Sequence, residues 1–225
     1  MVVACAHVDT FTDITEDQRR QLRNQIASKH HFSFFSDSIA VTSPYWNDDG
    51  QPLIQHVFTL LVSLSCMMIV SPNRRSVVRG AVEVGGGFEW PEGGVYGPIM
   101  ADVYELENQT ARYPRIVVGP ELSNCICDWN RKAQENNAYY VGYRELIELC
   151  KGMICADRDG VQILDYLGPA FSRFARPHMA NHVKSGFDFV TREYDKFKDG
   201  QEPQMALKYS LFKEYYSDRL KVWTF

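Results

Sequence analysis

The run from Ile54 to Val70 sets the first constraint on this chain. It contains no Asp, Glu, Lys or Arg and is the longest apolar stretch in the 225 residues. Ile54, Val57, Leu61, Leu64 and Met68 recur at helical spacing, which predicts a helix with one face on a core. Gln55, His56, Thr59, Ser63 and Ser65 interrupt the run, which reads as too short and too polar to span a bilayer. A core must therefore exist to receive it. With 45% hydrophobic and 23% charged residues, the chain can supply that core, and wholesale disorder and coiled coil are excluded.

Strand patterns stand on both sides of this helix. Met1 to His7 reads as a short buried strand, and Thr15 to Lys29 as a helix capped by Thr15. Phe32, Phe34, Ile39 and Val41 alternate around Ser36, Asp37 and Ser38, the pattern of a tight β-hairpin with an acid at its tip. Pro44 to Pro52 is a loop. Beyond the Ser71 to Arg75 turn, Val77 to Val84 is a strand and Phe88 to Gly97 a Gly-rich connection. Pro98 to Thr110 follows as a helix and Arg115 to Gly119 as a strand. The order strand, helix, hairpin, helix, strand, helix, strand predicts an α/β sandwich of ferredoxin-like or palm-like type, with helices on one sheet face.

Residues 121–225 read as a mostly helical elaboration of the same unit as the core, 1–120. Two short extended pieces flank the Asp159-Gly160 turn, and Thr191 to Lys198 and Met205 to Leu220 are amphipathic helices. No Pro/Ser-rich linker separates the two regions.

Charge excludes some functions. The balance of 24 Lys+Arg against 28 Asp+Glu gives a net charge of −4, which disfavours nucleic-acid and membrane-surface binding, where clustered cations release counterions. A ferredoxin-like RNA-binding module would also need a basic patch and an aromatic strand motif. The six cysteines show no zinc-type spacing and read as free thiols in a reducing cytosol. Met1 to Cys5 is apolar but short, with His7 and Asp9 behind it, unlike a secretory leader. These features together predict a soluble, cytoplasmic protein.

Asp37 is the first candidate for chemistry. An acid at a hairpin tip is a good turn residue, but a second carboxylate on a neighbouring strand end would let the pair hold two Mg²⁺ or Mn²⁺ ions against a triphosphate. Asp9, behind the first strand, is the one upstream acid so placed. The glycines Gly85, Gly86 and Gly87 lack the Lys-Ser/Thr of a phosphate loop and read as a flexible strand exit. The histidines show no metal spacing. The four tryptophans read as packing or dimer-contact residues.

Four segments occur in an order that carries a resemblance: Phe35-Ser-Asp-Ser-Ile39, Arg79-Gly-Ala-Val-Glu-Val-Gly85, Tyr96-Gly-Pro-Ile-Met-Ala-Asp-Val-Tyr-Glu-Leu-Glu107 and Ala111-Arg-Tyr-Pro-Arg-Ile-Val-Val118. Together with Asp159-Gly, Asp165-Tyr-Leu167 and Lys208-Tyr209, they resemble the pyrimidine nucleotide cyclases of bacterial Pycsar antiphage systems. Those enzymes are a branch of the class III adenylate/guanylate cyclase superfamily. The resemblance runs from about Phe35 to the C-terminus.

It implies a class III cyclase sandwich that works as a head-to-tail homodimer with active sites at the interface. Asp37 and Asp9 would be the two metal-binding aspartates, holding two Mn²⁺ or Mg²⁺ ions. The substrate would be UTP or CTP, and the cyclic product would signal phage infection to a separate effector. Arg79, Arg112 and Arg115 are the candidates for transition-state charge, with a surface role the alternative for Arg79. Asn108 and Arg112 echo the Asn/Arg pair of purine cyclases and would share a helix face if the helix reaches that far, whereas alignment on Gly97 puts Ala101 and Glu105 there. Base recognition would involve Ser33, where adenylate cyclases have a lysine; UTP and CTP both stay open. A catalytically silent nucleotide-binding dimer is the rival expectation.

Overall fold

A computed structural model describes residues 2–8, 31–35, 38–90 and 94–223. The chain forms a mixed α/β structure with a helical C-terminal region. Nine strands are described: β1 (Val2–Val8), β2 (His31–Phe35), β3 (Ser38–Ser43), β4 (Val78–Val84), β5 (Phe88–Trp90), β6 (Gly94–Tyr96), β7 (Ile116–Val118), β8 (Ile154–Ala156) and β9 (Gln162–Leu164). The described helices are α1 (Ile54–Val70), α2 (Pro98–Thr110), α3 (Pro120–Gln134), α4 (Ala138–Gly142), α5 (Arg144–Gly152), α6 (Pro169–Asp199) and α7 (Pro203–Trp223). The expected Thr15 to Lys29 helix lies outside the described residues.

Seven strands form one sheet in the order β2-β3-β1-β4-β7-β9-β8. Every neighbouring pair is antiparallel except β4 and β7, which are parallel and joined by the crossover helix α2. Alternation along β4 and β7 divides the core. Val78, Val82, Val84, Ile116 and Val118 face the larger cluster with α1, α3, α5, α6 and α7. Ala81 and Val117 face the opposite side, where Ile99 and Val103 of α2 cover them. Helices thus occupy both faces, not the one face expected, because the parallel β4–β7 pair needs a crossover. The sheet also continues through β7 to β9 and β8, across the residue-120 boundary.

Helix α1 fills the position its apolarity demands: Ile54, Val57, Leu60, Leu61, Leu64, Met68 and Ile69 are buried. With the 3₁₀ turn Ser71–Arg74 it is nevertheless long and apolar enough to cross a membrane by length and composition, which corrects the expectation of too short and too polar a run. Two of its hydroxyls bond back into the helix, Thr59 to the Gln55 carbonyl at 2.7 Å and Ser65 to the Leu61 carbonyl at 2.8 Å, and so detract little from its apolarity.

Two expectations need revision. Within the expected Phe88 to Gly97 connection, Phe88–Trp90 and Gly94–Tyr96 pair as an antiparallel ribbon, with Phe88 opposite Tyr96, and stand outside the main sheet. At its base Gly97 has φ +137°, and a Cβ there would stand 2.8 Å from the Gly86 carbonyl oxygen, so glycine is required. The Thr191 to Lys198 helix is the end of the 31-residue α6, which carries Pro177 inside it.

The C-terminal helix is fastened to the sheet by one buried carboxylate. Asp165, just beyond β9, accepts Arg219 Nε at 2.9 Å and the Tyr215 hydroxyl at 3.0 Å. The Tyr215 oxygen in turn accepts the Leu167 N–H, and Trp223 Nε1 donates to the Leu167 carbonyl. Asp165→Ala removes the acceptor and leaves Arg219 and Tyr215 unmatched, so it should lower unfolding free energy by roughly 2–4 kcal/mol, read by urea titration.

Candidate functional site

The register of β1 brings three strand ends together. His7 stands opposite Ser38 of β3 on one side and Arg79 of β4 on the other, and Val8 pairs with Val78. Asp9 and Asp37 lie outside the described residues, one position beyond the end of β1 and one before the start of β3. Ser33 lies in β2 opposite Ala40, whose other neighbour is Cys5, itself opposite Ala81.

Arg79 is one-third exposed and engaged by α2. Its Nε lies 2.8 Å from Glu107 Oε1, and its Nη1 donates to the Ala111 carbonyl at 3.3 Å. Glu107 is buried. Asn108 is exposed near the end of the helix, and Arg112 is exposed two residues past its last residue, Thr110. The pair therefore does not share a helix face: α2 stops before it can present both. Ala101 and Glu105 are exposed on α2, with Glu105 accepting from Gln109 at 2.8 Å.

Arg115 is committed to structure. It is 2% exposed and joins β7 to the β8–β9 turn. Nη1 reaches Asp157, Nη2 donates to Asp159 at 2.7 Å and to the Thr110 carbonyl at 2.7 Å, and the guanidinium carbon lies 4.8 Å from the centre of the Tyr113 ring. The guanidinium beside Asp159 holds that carboxyl below the usual range. Gly160, at φ +82°, makes the turn possible.

A third buried acid, Glu83, is one that the sequence pattern did not single out. Glu83 of β4 is 4% exposed and receives backbone N–H groups from Val84 (2.8 Å), Leu122 (2.7 Å) and Glu121 (3.2 Å), so it caps the N-terminus of α3 from outside the helix. A Cβ on Gly119 would stand 2.0 Å from Glu83 Oε2, so the glycine leaves room for the carboxylate. Burial pushes the Glu83 carboxyl above its ordinary range, against the opposing pull of the three N–H groups. The available signal was a lone acid among valines in a buried strand.

A cleft of about 380 Å³ opens at the opposite end of the sheet, past the ends of β3 and β4, lined by Tyr45, Trp46, Gly85, Gly86, Glu121 and Cys125 among others. Among the described residues no Lys, Arg or His lines it. Trp46 is 55% exposed there, edge-on to Tyr45, unlike the buried Trp129 and Trp223. Gly85 admits Ile99 of α2, whose Cδ1 would stand 2.9 Å from a Cβ, and this close passage explains one of the three glycines. The described cysteines are free, and burial pushes the Cys150 thiol to about 12 and Cys155 to about 11, well away from thiolate chemistry. Among the described residues no three His, Cys, Asp or Glu side chains gather as metal ligands.

No family model, curated protein or solved structure matches the chain.

Glu83 generates a pH signature. The folded state binds its proton more tightly than the unfolded chain, so this group's contribution to stability falls as pH rises from about 4.5 through the folded pKa, then levels off. Denaturant titrations across pH should show that decline in the wild type and lack it in Glu83→Gln; identical pH slopes would contradict the assignment.

Proposed function

We propose that this chain is a metal-dependent nucleotide cyclase converting UTP to 3′,5′-cyclic UMP and pyrophosphate, with CTP the alternative substrate. The observation that supports the reading is the pairing of His7 with Ser38, the residues that stand two before Asp9 and one after Asp37 in the sequence. The strand order β2-β3-β1-β4, antiparallel throughout, is also that of a ferredoxin-like sheet and fits a class III cyclase core. Following the sequence resemblance, the enzyme would be cytoplasmic and homodimeric, with active sites at the dimer interface, and would signal phage infection to a separate effector.

Both candidate ligands are carboxylates, the hard oxygen donors that Mg²⁺ and Mn²⁺ prefer. Two such ions, when bound, supply Lewis-acid activation of the 3′-hydroxyl and neutralise the leaving phosphates. Asp9 and Asp37 would hold those ions and, through them, orient the triphosphate. The 3′-oxygen attacks the α-phosphorus in line: the O3′–Pα bond forms, the bond from Pα to the bridging oxygen breaks, pyrophosphate leaves and the hydroxyl proton is released. Arg79, at the start of β4, contributes positive charge where negative charge develops. Ser33, paired with Ala40 in the same sheet, is the candidate contact for the base.

A catalytically silent nucleotide-binding dimer is the second reading, favoured by the missing common face for Asn108 and Arg112. Incubating the protein with Mn²⁺ and each of the four ribonucleoside triphosphates separates the two. The cyclase reading expects one cyclic pyrimidine nucleotide, lost in Asp37→Ala while the dimer persists. An Asp37→Ala protein that still turns over would overturn it, and UTP binding without product would support the silent dimer.

A further inference from the structure

We infer that Glu107 is a positioning residue that fixes the Arg79 guanidinium for a nucleoside triphosphate. This rests on the cyclase reading for the identity of the ligand. The two arginines of this region differ in what their neighbours leave over. Arg115 has a side chain 3% exposed and is taken up by two aspartates and a carbonyl. Arg79 has a side chain 33% exposed and gives only Nε and Nη1 to described partners, leaving Nη2 unengaged among the described residues.

An unsupported arginine on a strand end samples many rotamers, and ordering it on binding costs entropy. Here Glu107 of α2, with a side chain only 7% exposed, sets a carboxylate oxygen 2.8 Å from Arg79 Nε, an ion pair that anchors the guanidinium. The Ala111 carbonyl, at the C-terminal end of the same helix, holds a second nitrogen where the helix dipole favours a cation. The guanidinium is thereby held at the C-terminal end of α2, on a residue whose backbone stands opposite His7 of β1. A cation oriented before the ligand arrives needs no reorganisation when phosphate charge develops.

The test compares wild type, Arg79→Ala, Glu107→Gln and the double variant. Steady-state kinetics with UTP and Mn²⁺ are combined with the affinity for a UTP analogue bearing a methylene between the α- and β-phosphorus, and with urea unfolding. Glu107→Gln keeps the side-chain volume and removes the charge. Its kcat/KM is expected to fall by about ten- to a hundredfold while it stays folded. The double variant should lose no more than Arg79→Ala alone, because the two residues act as one unit.

Wild-type kinetics and analogue affinity in Glu107→Gln would overturn the inference, as would losses that multiply in the double variant or an Arg79→Ala enzyme with full activity. Should Glu107→Gln fail to fold, Arg79→Lys retains the charge but cannot make the forked contact, and is expected to show the same loss. A wild type that makes no product yet binds the analogue contradicts the activity but leaves this comparison readable in the analogue Kd. A wild type that does neither overturns both.

Discussion

Strand β1 is the reference to which the rest of the sheet is aligned. It pairs with β3 from Val2 opposite Ser43 to His7 opposite Ser38, and with β4 from Val2 opposite Val84 to Val8 opposite Val78. A slip of one residue on either side would turn every side chain of the slipped strand to the wrong face. The valines of β4 would then leave the large core, and Ala81 would no longer fit beneath α2. The same register decides which loops meet: the ends of β3 and β4 gather at one edge, and the end of β1 meets the starts of β3 and β4 at the other.

Buried charges hold the helices to this frame, and each one stands at a junction. Glu83 joins β4 to the start of α3, Glu107 joins α2 back to β4, Arg115 joins β7 to the β8–β9 turn, and Asp165 joins β9 to α7. Such groups are costly to bury and add little net stability over a well-packed apolar substitute. They do fix geometry, since each partner must arrive in one orientation. Gly119 and Gly168 show how closely: a Cβ on either would stand 2.0 or 2.2 Å from a carboxylate oxygen of Glu83 or Asp165.

Much of the frame was legible because burial leaves a period in the sequence. Ile54–Val70 and Pro98–Thr110 coincide with the helices read from their apolar spacing, and the Asp159-Gly160 turn lies between the two extended pieces expected there. What escaped did so for physical reasons. The β5–β6 ribbon is too short to show a period and is punctuated by glycine. Helix α6 runs through Pro177 and Gly186, both helix breakers by propensity; Gly186 is retained because Tyr216 Oη would stand 2.8 Å from a Cβ there. Within the site, Arg79 was visible as a candidate but its partner was not, because Glu107 lies 28 residues downstream on another element. Asn108 and Arg112 tempted by spacing alone, and spacing means nothing once the helix has ended.

The two ends of the sheet differ in what they can offer a polyanion. At the cleft end, the N-terminus of α3 would ordinarily attract phosphate through its exposed N–H groups. Glu83 has already taken those groups, Glu121 adds a second carboxylate, and among the described residues no cation lines the cleft. That end therefore repels a triphosphate. At the other end, Arg79 stands beside the C-terminus of α2, ion-paired with Glu107 and donating to the Ala111 carbonyl. A net charge of −4 hides this asymmetry, because paired buried acids contribute to the sum but little to the field outside. The proposed catalytic end is thus also the end where the sheet presents its partly exposed, pre-oriented cation.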